Sequence, residues 1–124
     1  MNQSLKILIA DDSDLMRMVI KGFFRKFLSA PEISETSDLL ETFNLLRKQD
    51  FDFLLLDINM PSGDSSPDTV KEILAIQENI KICMFSGNDK KSLEQDYLDA
   101  GAIGFIQKDA NISNSLKEIL ANNF

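Results

Sequence analysis

At 124 residues and 44% hydrophobic composition, the chain has the length of one domain and enough apolar material for one core, which leaves no room for a second folded unit. Thirteen Lys and Arg against 20 Asp and Glu give a formal charge of -7, a balance that repels polyphosphate and argues against direct nucleic-acid binding. With no histidine and a single cysteine, Cys83, neither the usual zinc-ligand spacings nor an internal disulfide can be assembled, and a reduced, cytoplasmic setting is expected.

The first predicted element is the apolar run at residues 5–10 (LKILIA), which Asp11 and Asp12 cut off far short of a signal-peptide core or a membrane span. A soluble protein with no membrane association is therefore expected. The run reads as a strand buried on both faces, as do residues 52–56 (DFLLL) and 81–85 (KICMF). Met16, Val19, Ile20, Phe23 and Phe27 recur at helical spacing after the first strand. A weaker strand follows at residues 32–36, then a helical stripe of Leu39, Leu40, Phe43 and Leu46 opened by the capping pair Asp38 and Glu41. After the third strand comes the most loop-like stretch, residues 61–68 (PSGDSSPD), whose Ser66-Pro67 sets a cap residue before a first-turn proline for the helix carrying Val70, Ile73 and Leu74. Beyond the fourth strand, Leu93 and Tyr97 mark a helix ended by Gly101. Residues 103–107 make a fifth strand, and Leu116, Ile119 and Leu120 a last helix. Five strictly alternating β-α units require crossover connections, so the fold class is α/β with a parallel, doubly wound sheet.

Ligands of such sheets bind beyond the carboxyl ends of the strands. The residues there are Asp11 and Asp12 after the first strand, Asp57 after the third, Ser86 after the fourth and Lys108 after the fifth. Three crowded carboxylates oppose one another's ionisation unless a cation compensates, and an oxygen-only donor set favours a hard ion such as magnesium. Lys108 adds a fixed positive charge, and Asp57, ending the most apolar strand, is the best-placed nucleophile toward a phosphoryl donor. Taken singly, each residue has a plainer reading. Asp11-Asp12 suits a turn with Asp12 or Ser13 capping the next helix, Ser86 a turn hydroxyl, Lys108 a solvated lysine, and Phe105 and Cys83 the core. The basic group Lys21, Arg25 and Lys26 reads as the wet side of its helix. Five positions in order, each at a strand end, carry the functional reading as a set.

Those positions, in the contexts ILIADDS, LLLDINMP, MFSG and GFIQK, resemble the response-regulator receiver family of two-component signalling over essentially the whole chain. The resemblance implies one receiver domain over residues 1–124, a flavodoxin-like (βα)5 sheet in strand order 2-1-3-4-5, and Asp57 as phosphoacceptor. The donor would be a phosphohistidine on a sensor histidine kinase or histidine phosphotransfer protein. Such a domain catalyses its own phosphorylation and dephosphorylation and turns over no other substrate. Magnesium, or manganese, would be bound directly by Asp12, Asp57 and the backbone carbonyl of Asn59, with Asp11 acting mainly through water. Ser86 and Lys108 would hold phosphoryl oxygens, Asn59 and Asn88 would border the path of the hydrolytic water and help set phosphoryl lifetime, and Phe105 falls at the switch aromatic. Phe105 would be half buried in one state and buried in the other. The implied output surface is the face of the fourth helix, fifth strand and fifth helix, with Lys91, Gln95, Asp99, Phe105 and Lys117, on a monomer or weak dimer. One departure stands out: where the family often has Asp-Gly before the third helix, this chain has Asp64-Ser65.

Three other functions compete with this one. An aspartate-nucleophile phosphohydrolase would usually carry Asp-x-Asp after the first strand, which Asp11-Asp12 does not reproduce. A scaffold that binds partners without phosphorylation has no need of the five-residue set. A flavin protein would need amide and hydroxyl donors where this chain has the acidic DDSD of residues 11–14.

Overall fold

The computed structural model of the chain describes residues 4–124, so the first three residues of the expected domain lie outside the described ones. Ten elements alternate: β1 Lys6–Ala10, α1 Asp14–Phe27, β2 Glu32–Thr36, α2 Leu39–Lys48, β3 Phe53–Asp57, α3 Pro67–Ile76, β4 Lys81–Ser86, α4 Lys90–Ala100, β5 Gly104–Gln107 and α5 Ile112–Asn123. The strands are all parallel, as the alternating units require, in the order β2-β1-β3-β4-β5 that the family resemblance implies. After β1 the chain builds β2 on one side and then returns to build β3 on the other. The carboxyl ends of β1 and β3 therefore flank the crevice where the winding reverses.

Alternate strand residues point to opposite faces, which divides the core in two. Leu8, Leu54, Leu56, Ile82, Met84 and Phe105 pack under α2, α3 and α4, while Ile7, Ile9, Phe53, Leu55, Phe85 and Ile106 pack under α1 and α5. The apolar stripes on the helices need correction at two places. Val19 and Leu40 are exposed, Leu40 at 71%, whereas Phe24 and Thr42 are fully buried. Periodicity counts apolar residues but does not fix which arc of the helix meets the sheet. Thr42 tolerates burial because its hydroxyl donates to the Asp38 carbonyl at 2.7 Å and accepts from Thr36 Oγ1 at 2.7 Å.

The strands are also displaced by a residue from their expected limits. Asp57 and Ser86 are the last paired residues of β3 and β4, registered against Phe85 and Gln107, and do not lie beyond the strands. The two side chains are thereby held by the ladder itself. At the helix starts, Asp38 Oδ1 accepts from the Glu41 N–H at 2.8 Å, but the Glu41 carboxylate reaches past the cap residue to the Ser37 N–H and hydroxyl, at 2.8 and 2.9 Å. The Ser66 N–H donates to Thr69 Oγ1 at 2.9 Å just ahead of Pro67.

Gly101 ends α4 in the left-handed region, at φ 118°, and a Cβ there would sit 2.5 Å from Leu74 Cδ1. Backbone strain and steric crowding act together at this position. Gly101→Ala is expected to destabilise the fold by about 1 to 3 kcal/mol, read as a lowered urea midpoint at unchanged m-value.

Candidate functional site

Asp11, Asp12 and Asp57 meet at the β1 and β3 ends of the crevice, with one carboxylate oxygen from each lying within 4.8 Å of the others. Asp11 is fully buried, Asp57 is 3% exposed and Asp12 faces solvent. The first turn after β1 is built by Asp11, whose Oδ1 accepts from the Ser13 N–H at 2.8 Å, and by Ser13, whose Oγ accepts from the Met16 N–H at 3.1 Å. Ser13 is therefore the cap of α1, which releases Asp12 from the capping role the sequence left open.

Lys108 enters from the end of β5. Its Nζ lies 2.9 Å from Asp11 Oδ2 and 3.3 Å from Asp57 Oδ2, and 4.8 Å from the centroid of the Phe85 ring. This is an ion-paired ammonium, not the solvated surface lysine of the plainer reading. Its N–H donates to the Ser86 carbonyl at 2.8 Å, which ties the ends of β4 and β5 together beside Asp57. Ser86 is fully buried, and its Oγ accepts from the Asn88 N–H at 3.0 Å. The Asn88 amide in turn donates to Asn59 Oδ1 at 2.9 Å, joining the two loops that follow β3 and β4.

Burial raises the Asp57 carboxyl to about pKa 6 against the attraction of Lys108, and the Asp11 charge pushes in the same direction as burial. Burial by itself would lower Lys108, but its contacts with Asp11 and Asp57 outweigh that and hold the ammonium above its ordinary range. One ammonium faces three carboxylates, and the buried Asp11 Oδ2 has that ammonium as its ion-pair partner. An excess of negative charge and an oxygen-only donor set together fit a hard divalent cation.

Phe105 is in the buried one of its two expected states. It is 2% exposed, with its ring centroid 6.0 Å from that of Tyr97, because an inward-facing position on β5 places it in the core beneath α4. The exposed part of the α4, β5 and α5 face is made by residues such as Lys91, Gln95, Asp99 and Lys117.

Three further residues shape the site. The Arg17 guanidinium donates to the Asp11 carbonyl and pairs with Asp14 and, at 3.0 Å, with Glu35. Ser65 Oγ donates to the Asp57 carbonyl at 2.8 Å, and the Tyr97 hydroxyl donates to the Ser65 carbonyl at 3.1 Å. Nothing local in the sequence ties Arg17 or Tyr97 to the site. Ser65 gave a signal, as the departure from Asp-Gly.

The model of the response regulator receiver domain matches residues 7–120. The chemotaxis protein CheY-3 of Vibrio cholerae is 34% identical over 110 residues, covering 87% of this chain and 83% of the relative. A nitrate/nitrite response regulator protein homolog of Haemophilus influenzae is 30% identical over 96% of this chain, which spans 57% of that protein's length. Among solved structures, a CheY-like receiver domain protein from Methanospirillum hungatei superposes with a TM-score of 0.82 at 21% identity, covering 97% of this chain and 94% of that one. The receiver domain of the sensor histidine kinase PA1611 from Pseudomonas aeruginosa, solved with magnesium in its active site cleft, superposes at 0.78 with 23% identity and 97% coverage of both chains. A family match over residues 7–120, on a sheet that gathers its acidic residues and its lysine at one end, places this chain in the response regulator receiver domain family of two-component systems.

Proposed function

We propose that Asp57 accepts a phosphoryl group from a phosphohistidine of a sensor histidine kinase or phosphotransfer protein, and that the modified domain signals through the α4, β5 and α5 face. The observation that carries this reading is the placement of Lys108 between the carboxylates of Asp11 and Asp57 at the sheet's switch point. In the transfer, an Asp57 carboxylate oxygen bonds to phosphorus as the phosphorus–nitrogen bond to the imidazole breaks, and the nitrogen keeps the electron pair. Lys108 neutralises charge on the phosphoryl oxygens, and the Ser86 hydroxyl turns to donate to one of them. Asp12, Asp57 and the Asn59 carbonyl would hold magnesium or manganese, with Asp11 behind them through water. When bound, the ion shields the acidic pocket and stabilises charge on the transferring group.

Asn59 and Asn88, joined by their amides, would meter water reaching the phosphoaspartate. Phe105 acts as a switch from its buried position, its packing against Tyr97 changing when α4 shifts. A cytoplasmic location, where kinase and acceptor meet, belongs to the same reading. The phosphohydrolase alternative is disfavoured because β1 is followed by Asp11-Asp12 and not by Asp-x-Asp.

Incubation with acetyl phosphate and magnesium is expected to add one acid-stable, base-labile phosphoryl group per chain to the wild type and none to Asp57→Asn. Intact-mass analysis reads the result. Equal labelling of the two proteins would remove Asp57 from the role.

A further inference from the structure

The buried hydrogen bonds that run from Asp57 to α4 are not needed by the phosphoryl-transfer chemistry itself. Ser65 sits in the loop between β3 and α3, is 4% exposed, and makes three of these contacts at once. Its N–H donates to the Ile58 carbonyl at 2.7 Å, its hydroxyl donates to the Asp57 carbonyl at 2.8 Å, and its own carbonyl accepts from the Tyr97 hydroxyl at 3.1 Å. Two of the three therefore fasten the loop to the backbone at Asp57 and Ile58. The third fastens it to α4, across an interface that joins no sheet hydrogen bonds.

We propose that Tyr97 is a positioning residue for Asp57: its phenol, acting through Ser65, forms a strut that holds the backbone at the end of β3 in place and links that backbone to α4. The proposal rests on the reading of Asp57 as the phosphoacceptor. A side-chain hydroxyl at position 65 is required for the inner half of the strut, and Asp64-Ser65 supplies one where Asp-Gly would not. A phenol at position 97 is required for the outer half. Tyr97 is itself buried, its ring packed against Phe105, and burial followed by the charges of Asp64 and Asp96 raises its pKa, so the hydroxyl stays a donor. The neighbouring loop needs such an anchor, because Ser62, at φ 67°, and Gly63, at φ 146°, both lie in backbone regions that side chains other than glycine rarely adopt. Linkage makes the strut work in both directions. Whatever displaces α4 loosens the end of β3, and whatever fixes Asp57 favours the position of α4 that Tyr97 marks.

Tyr97→Phe keeps the ring against Phe105 and deletes only the donor, while Ser65→Ala deletes the inner link. Two quantities are measured: amide hydrogen exchange at position 65 in the unmodified protein, and the initial rate of labelling by acetyl phosphate with magnesium. In Tyr97→Phe, exchange at Ser65 is expected to quicken about fivefold, the scale of one lost hydrogen bond, while Leu8 in β1 is unchanged. Labelling should slow by about the same factor in each single variant, and the double variant should be no slower than Ser65→Ala. Labelling of Tyr97→Phe at the wild-type rate, unchanged exchange at Ser65, or multiplicative slowing in the double variant would each overturn the proposal. If the wild type takes no label, it is the phosphoacceptor reading that fails. Exchange at Ser65 then decides the strut alone, quickening supporting it and constancy overturning it.

Discussion

Asp57→Asn is expected to be more stable than the wild type by about 3 kcal/mol at neutral pH when divalent cations are chelated. The burial that makes Asp57 useful also makes its charge costly, and its carboxyl titrates near pKa 6 in the folded protein against an ordinary value of 3.8. A raised carboxyl pKa means that folding favours the protonated form. The stability it contributes is complete below about pH 4 and is lost as pH rises through about 6. The difference of 2.2 between the two values, at roughly 1.4 kcal/mol per unit, gives the figure above. Asparagine has the same shape and no charge to lose, so its advantage should vanish at about pH 4 and be fully developed at about pH 7. Glu35, held low by Lys21, and Glu41, held low by the Ser37 N–H, lose stability as pH falls in both proteins and cancel in the comparison. Millimolar magnesium should shrink the advantage, because a cation bound to the native acidic cluster favours the carboxylate. Urea midpoints of the two proteins across that pH range, with and without magnesium, make the measurement. Coincident curves at neutral pH would mean that Asp57 pays no desolvation cost.

The second large effect is expected from Lys108→Met, which keeps the aliphatic stem and deletes the charge. Asp11 Oδ2 then loses the only cation within ion-pairing distance among the described residues, and Asp57 loses the attraction that opposes its burial. Removing one partner of a buried pair costs about 3 to 5 kcal/mol, moderated here because Asp57 can take up a proton. Its titration should therefore move above 6, and magnesium should recover part of the lost stability. Labelling by acetyl phosphate should fall on the order of 100-fold, as for the loss of one preorganised charge at a transferring group. Initial rates from intact-mass analysis and urea midpoints with and without magnesium check both halves. A labelling rate within about twofold of the wild type would take Lys108 out of the transfer chemistry.

Much of this could be read from the order of residues. Short apolar runs ending in Asp11-Asp12, Asp57, Ser86 and Lys108, separated by amphipathic stretches, required parallel strands whose carboxyl ends gather polar groups at one end of the sheet. That inference needs only covalent connectivity and period-two or period-3.6 patterning, both local properties. Gly101 and Ser66-Pro67 were legible for the same reason, since a left-handed cap and a first-turn proline act within one turn of chain. Packing decided what patterning could not. Thr42 is buried and Leu40 exposed because the Thr36 hydroxyl, at the end of β2, lies where Thr42 meets the sheet, a fact about β2 and not about α2. Phe105 went inward because β5 turns that face toward α4. Which groups reach the crevice follows from chain order alone. How they are held follows from packing: Arg17 on the Asp11 carbonyl, Ser65 on the Asp57 carbonyl, and Tyr97 on Ser65 from 32 residues away. Hydrogen bonds of that span join residues that share no local period, and their partners exist only once the helices have docked on the sheet.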